Sequence, residues 1–346
     1  MPVTIKDIAK IAGVSHTTVS RALRGHPGIA PETVARIKKI AAELGYIPNT
    51  VARGLKTQRS GVVGVIVRRI VDPFFSEVLN GIEDTLQAAG YSFFLSSSNR
   101  DPEREKTIVR VMSERRVDGV IVCSSQVSEH HRRQLERFRV PTVLINNQAA
   151  EESAHSIYHD DVYGGWAVTH HLIELGHKRI AFLGNARGGR TSEERLRGYK
   201  QALSEAGLPI DEACIVSGPN GLAEGGAEGA RRLLALPELP TGVVCYNDVM
   251  AIGVMRVLAE HGVHVPADCS VTGFDNIELA AYVNPPLTTF DQPKYELGHQ
   301  AAVMLLRLLD GTADSDKRDI VVLRGELCPR ESTAPPPENG RFVTEG

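Results

Sequence analysis

At Gly61 the chain changes its hydrophobic period. Up to that point apolar residues recur every three or four positions. Beyond it, short Val/Ile-rich runs alternate with helical stretches. The runs Val62–Val67, Tyr91–Ser97, Gly119–Cys123, Thr142–Ile145, Ser156–His159, Arg179–Leu183, Gly242–Tyr246, Ser270–Phe274 and Ile320–Leu323 predict strands. Between them, Phe75–Ala89, Val162–Leu175, Glu194–Ala206, Gly226–Ala235 and Val249–His261 predict helices. Near-continuous apolar strands alternating with helices belong to parallel sheets covered on both faces. These strands are too many for one compact sheet and lack a barrel's regularity, so the pattern predicts an α/β body of two doubly wound parallel-sheet lobes. Ligands of such sheets lie beyond the strands' carboxyl ends, here in a cleft between the lobes.

The segment before Gly61 predicts an all-α head. Ile5, Ile8, Ala9 and Ala12 share one helical face. Gly13 supplies the turn, Ser15 is a good N-cap for a second helix, and Val14 with Val19 fall at the positions of a hydrophobic staple. With Val19, Ala22 and Leu23 inward, His16, Thr17, Ser20 and Arg21 point outward, and short polar groups with one Arg at a helix start suit base-edge readout in a DNA major groove. Pro31 opens a third helix with Val34, Ile37, Ile40, Ala41 and Leu44 inward, closed by Gly45 and Pro48. An ordinary pair of surface helices would have the same apolar faces, but not the cap, staple, turn and polar row together.

Charge divides along the same boundary. Residues 1–60 hold ten Lys or Arg against three acids, a net of +7, so the other 286 residues carry −10 of the chain's −3. A basic head on an acidic body suits salt-dependent phosphate contact by the head alone. RNA is disfavoured, since no aromatic platform accompanies the charge. No apolar run reaches membrane-spanning length and no signal peptide is evident. The cysteines Cys123, Cys214, Cys245, Cys269 and Cys328 are scattered without a Cys-x-x-Cys pair, which suggests reduced, buried thiols in a cytoplasmic protein. His170, His171 and His177 have no acidic or thiol partner at ligand spacing, so no metal or other cofactor is expected. Gly-x-Ser-x-Gly, a P-loop and Gly-x-Gly-x-x-Gly after the first strand are absent, and Asp160-Asp161 has no acid/base partner nearby, so an enzyme is not expected. The two-lobed body alone would also suit a solute-binding protein, which residues 1–60 exclude.

Head and body together resemble the lactose-repressor (LacI/GalR) family of bacterial transcription regulators over residues 3–334. Val3-Thr4-Ile5-Lys6-Asp7-Ile8-Ala9, Ala12-Gly13-Val14-Ser15 and Thr18-Val19-Ser20-Arg21 match the family head. Leu44-Gly45-Tyr46-Ile47-Pro48-Asn49, Val51-Ala52-Arg53 and Leu55 match its hinge. Asp72-Pro73-Phe74-Phe75, Leu175-Gly176-His177, Arg195-Leu196-Arg197-Gly198-Tyr199, Asn247-Asp248, Gly273-Phe274-Asp275 and Pro286-Leu287-Thr288-Thr289 match its regulatory domain. The resemblance implies a DNA-binding domain over 1–48, a hinge helix or linker over 49–60, a two-lobed, periplasmic-binding-protein-like domain for effector binding and dimerisation over 61–334, and a disordered tail over 335–346. It implies a homodimer reading a palindromic operator through Thr4, Ser15, His16, Thr17, Ser20 and Arg21, with Asn49, Ala52 and Leu55 in a hinge that folds on DNA and wedges Leu55 into a minor-groove step. So short a segment is no stable helix alone, and Gly54 weakens it by ~1 kcal/mol relative to Ala; unstacking must be offset by contacts on the kinked duplex.

For the body, the resemblance implies effector contacts at Phe74, Phe75, Asp161, Thr191, Arg195, Asn247, Asp275 and Gln292. Asp, Asn and Arg together accept from and donate to vicinal hydroxyls, and an aromatic stacks on a sugar face. The expected ligand is a sugar or sugar derivative acting as inducer; a corepressor of purine type is the alternative and would want more aromatic stacking. Phe74 and Phe75 also suit helix-start core positions, Asp161 a helix cap, and Asp275 a turn. Ala30 stands where a Ser or Asn often caps the third helix, partly compensated by Pro31 and Glu32. Arg68-Arg69 are either surface charges or a preference for an anionic effector.

Overall fold

The computed structural model describes residues 3–46, 59–99, 101–123, 140–146, 155–312 and 319–337. The chain divides into two compact units, Met1–Ser60 and Gly61–Gly346.

In the first unit, α1 (Ile5–Ala12), α2 (His16–Leu23) and α3 (Pro31–Glu43) enclose Ile8, Ala9, Ala12, Val19, Ala22, Ile37 and Ala41. Val14, Leu23, Val34, Ile40 and Leu44 are half-buried around them. Gly13 takes the left-handed turn between α1 and α2 at φ 67°. The Thr18 N–H donates to Ser15 Oγ at 3.1 Å, which caps α2. Ala30 gives α3 no side-chain cap, and Pro31 opens the helix in its place. The expected hinge residues 49–57 lie outside the described residues.

The second unit begins with a six-stranded parallel sheet, ordered β11-β5-β4-β3-β1-β2. Its strands are β1 (Val62–Val67), β2 (Ser92–Ser97), β3 (Gly119–Cys123), β4 (Thr142–Ile145), β5 (His155–His159) and β11 (Ile320–Leu323). Helices α4 (Phe74–Ala88) and α5 (Pro102–Glu114) connect its first three strands. The second lobe is a four-stranded parallel sheet ordered β7-β6-β8-β9, from β6 (Ile180–Asn185), β7 (Ile215–Gly218), β8 (Gly242–Cys245) and β9 (Ser270–Thr272). Helices α6 (Asp161–Glu174), α7 (Arg190–Glu205), α8 (Ala223–Leu234) and α9 (Asp248–Glu260) complete it. An antiparallel ribbon, β10 (Thr289–Asp291) with β12 (Glu326–Cys328), joins the strands that follow. Between them α10 (Lys294–Leu309) returns to the first sheet and packs on β3, β4, β5 and α4.

The doubly wound expectation therefore holds, with three short strands added. β7, β10 and β12 escape the apolar-run criterion because each has at most two adjacent apolar residues, and β7 is a half-exposed edge strand. Three helix pairs cross at reciprocal glycines. A methyl on Gly165 or Gly198 would overlap the Arg195 or Val162 carbonyl across the α6–α7 contact; Gly81 and Gly298 do the same for α4–α10, and Gly226 and Gly253 for α8–α9. Cys123, Cys214, Cys245 and Cys269 are buried thiols and Cys328 is half-buried, all unpaired in disulfides. The histidines considered as ligands are otherwise engaged. His170 stacks on Trp166, His171 bonds Thr333 Oγ1, and His177 bonds Thr241 Oγ1 and the Ala334 carbonyl. Ser270 Oγ also binds Ala334. The chain after Thr333 is thus held at Ala334, and residues 338–346 of the expected disordered tail lie outside the described residues.

Candidate functional site

In the head, His16, Thr17 and Arg21 stand exposed on α2. The other predicted DNA contacts within the described residues are tied into the helix ends. Thr4 donates from its N–H (2.9 Å) and its hydroxyl (2.7 Å) to Asp7 Oδ2, and the hydroxyl bond holds that carboxyl below its ordinary range. Ser15 caps α2. Ser20 is half-buried, with its carbonyl accepting from Arg24 Nε at 2.8 Å and its hydroxyl from Arg24 Nη2. Arg24 was not singled out from the sequence, although its i+4 spacing from Ser20 is the signal. Asn49, Ala52 and Leu55 lie outside the described residues.

In the body, both sheets reverse their winding beside their first strand. β1 has β2 on one side and β3 on the other, and β6 has β7 and β8. Crevices open at such points, beyond the strands' carboxyl ends. A half-open cavity lies there, walled by Phe74, Phe75, Thr191, Arg195, Asn247, Asp275 and Gln292 of the predicted set. It also takes in Arg68, Asp72, Cys123, Asn146 and Tyr246. Most of this second group immediately follows or ends a strand, and that placement was the signal available in the sequence. Phe74 and Phe75 are 7% and 6% exposed, meet edge to face at 5.2 Å, and belong to the first lobe's core, so they line the cavity from the core positions expected at a helix start.

Asp161 stands behind the wall rather than on it. Asp160 caps α6, accepting from the Tyr163 N–H at 3.0 Å, which leaves the Asp161 carboxylate to accept from Arg195 Nε at 2.9 Å. Burial opposes ionisation of Asp161, and Arg195 overrides it and holds the carboxyl below its usual range. Arg195 also donates to the Tyr246 carbonyl, lies 3.6 Å over the Phe274 ring, and reaches within 3.8 Å of Asp275 Oδ1. Its burial is outweighed by Asp161 and then Asp275, so it is held firmly charged. Asn247 caps α9 through the Met250 N–H (2.9 Å) and donates to the Gly221 carbonyl (3.2 Å). Asp275 takes the turn geometry at φ 112°, and the buried Lys294 pins its carbonyl at 2.7 Å. Gln292 Nε2 donates to Asp275 Oδ1.

Burial pushes the Asp275 carboxyl up to about 8, against the pull of Arg195 and Lys294 and with that of Asp248 and Asp72. It likewise pushes Asp248 up to about 7, against the Thr289 hydroxyl, the Ile277 N–H, Lys294 and Arg330. Both carboxyls bind protons in the folded body that the unfolded chain has released, so stability falls as pH rises toward 8. His171 and His177, lowered by burial, act oppositely below about pH 6.5. The melting temperature is therefore expected to drop between about pH 6.5 and pH 8.5, and Asp275→Asn to flatten that slope. A rise over that interval would contradict the assignment.

The chain matches two family models: bacterial regulatory proteins, lacI family, over residues 4–49, and the periplasmic binding protein-like domain over residues 169–333. It is 38% identical over 316 residues to the HTH-type transcriptional repressor PurR of Vibrio atlanticus (strain LGP32), covering 91% of this chain and 94% of that protein. A crystal structure of the lac repressor dimer bound to operator and the anti-inducer ONPF superposes with a TM-score of 0.87 at 29% identity, over 96% of this chain and 100% of that one. A complex of the transcriptional regulator CelR with cellobiose superposes with a TM-score of 0.74 at 29% identity, over 95% and 99%.

Proposed function

Because the chain belongs to the lacI family of bacterial regulatory proteins and is a ligand-responsive DNA-binding repressor, we propose how it reads DNA and what releases it. Two copies bind a palindromic operator, each inserting α2 so that His16, Thr17 and Arg21 meet base edges. A sugar or sugar derivative entering the cleft cavity then lowers operator affinity. The protein works in the cytoplasm and catalyses no reaction.

The observation that carries this reading is the cavity where both windings reverse, with an Arg, Asn, Asp and Gln set beside two aromatic rings. Such a set both accepts from and donates to hydroxyls while the rings cover an apolar face. The CelR complex with cellobiose shows this fold occupied by a sugar. A corepressor of purine type is the second reading, favoured by Tyr246 joining Phe74 and Phe75 on the wall.

The test begins with an operator selected from a randomised duplex pool. Binding is expected to fall steeply with salt as phosphate contacts are screened. Arg21→Ala should cost about 1–3 kcal/mol of discrimination at one base position in each half-site; unchanged sequence preference would move the readout elsewhere on α2. A ligand that weakens operator binding supports induction, and one that tightens it reverses the sign. Linkage requires operator DNA to change that ligand's affinity by the same factor.

A further inference from the structure

We infer that the small molecule taken by this cleft is electrically neutral and supplies hydrogen-bond donors to two buried acceptors, Asn146 Oδ1 on the first lobe and Gln292 Oε1 at the end of β10. The inference rests on the cavity being the effector site.

Charge gives the first half. Among the described residues, the cavity is lined by two guanidiniums, and each already has its own carboxylate. Arg68 Nη2 lies 3.2 Å from Asp72 Oδ2, and Arg195 Nε lies 2.9 Å from Asp161 Oδ1 with Asp275 a further 3.8 Å from Nη1. Two cations thus face three carboxyls, one of which, Asp275, is pushed up to about 8 and holds its proton at neutral pH. With Asp161 counted behind it, the described wall holds no uncompensated cation. A phosphate or carboxylate entering it would be stripped of water without gaining an unpaired cation. Arg69, the neighbouring cation, faces a separate surface recess with Ile70, Val71, Ser97, Asn99 and Arg104.

Hydrogen bonding gives the second half. Asn146 Oδ1 and Gln292 Oε1 are buried and lack a partner among the described residues. The Gln292 amide lies with Nε2 donating to Asp275 Oδ1, which leaves Oε1 over. Buried acceptors without donors are destabilising, so an occupant that donates to both relieves them. An ionised phosphate or carboxylate group carries acceptors only, whereas hydroxyls and ring or amino N–H groups donate. Hydrogen bonding thus selects for hydroxyl or N–H donors, and charge selects against an ionised group beside them.

The experiment is calorimetric titration of the full chain with matched pairs: D-ribose and D-ribose 5-phosphate, cellobiose and cellobionate, D-glucose and D-glucose 6-phosphate, adenosine and adenosine monophosphate. Binding is expected from neutral members, with each anionic counterpart at least about 100-fold weaker, the loss set by burying an unpaired charge. Asp72→Asn keeps an oxygen for the Phe74 N–H but leaves Arg68 uncompensated, and should narrow that gap about tenfold or more. An anionic member that binds the unaltered protein as tightly as its neutral parent overturns the proposal, as does a gap unmoved in a folded Asp72→Asn protein. Absence of binding by every compound, or binding indifferent to Arg195→Ala, overturns the effector-site reading itself and the proposal with it.

Discussion

Arg195→Met is expected to destabilise the body by about 3–5 kcal/mol and to abolish the response to ligand. Removing one member of a buried ion pair leaves the other charged and desolvated, which is the main source of that loss. Asp161 is 2% exposed and takes its hydrogen bond from Arg195 Nε, so it would be left without that partner. The guanidinium stacking on Phe274 goes at the same time. Adding Asp161→Asn to Arg195→Met removes the stranded charge and should recover a large part of the loss, since paired replacements of buried ions are often near neutral. Urea unfolding of the two variants separates these effects. A single variant as stable as the parent, or a double variant no better than the single, would show that the pair does not hold α6 to α7. Because these residues belong to the second unit, operator binding by the head should persist in either variant.

Ile37→Ala should have the opposite distribution: operator binding lost, ligand binding kept. Truncating a fully buried Ile costs about 2–5 kcal/mol. The head's buried apolar set is Ile8, Ala9, Ala12, Val19, Ala22, Ile37 and Ala41, four of them alanines, and Ile37 is one of its two large members at 0% exposure. So small a core supplies only a few kcal/mol in total, so the substitution removes most of the head's stability. Calorimetry should show the body's transition in place, and gel shift should show no complex. Retained operator affinity would mean that the head draws stability from elsewhere.

The fold was largely legible because its strands are near-continuous Val/Ile runs and its head has explicit caps and turns. β1, β3, β4 and β11 begin and end at the predicted residues. The misses share a cause: β10 and β12 are three-residue strands stabilised by each other, and nothing local in Thr289–Asp291 or Glu326–Cys328 marks them. At the site, residue types and motif order pointed to seven wall residues, but which carboxylate pairs with which arginine is a tertiary fact. Asp160 and Asp161 are adjacent in sequence; one caps a helix and the other holds Arg195. Similarly, Arg68 could be read as free until Asp72 was placed beside it.

The reciprocal glycines also decide what can move. Each crossing brings backbone against backbone, so α4 with α10, α6 with α7, and α8 with α9 behave as three stiff double girders rather than six separate helices. Asp161, Thr191 and Arg195 all ride on one girder, Phe74 and Phe75 on another, and Asn247 caps the third. Under the proposed reading, a molecule gripped by the wall residues among these would pull on whole girders, with relief in the strand-to-helix joints between them. Such a switch would be geared by construction: a small displacement at the ligand would be carried as a rotation along helices of up to sixteen residues.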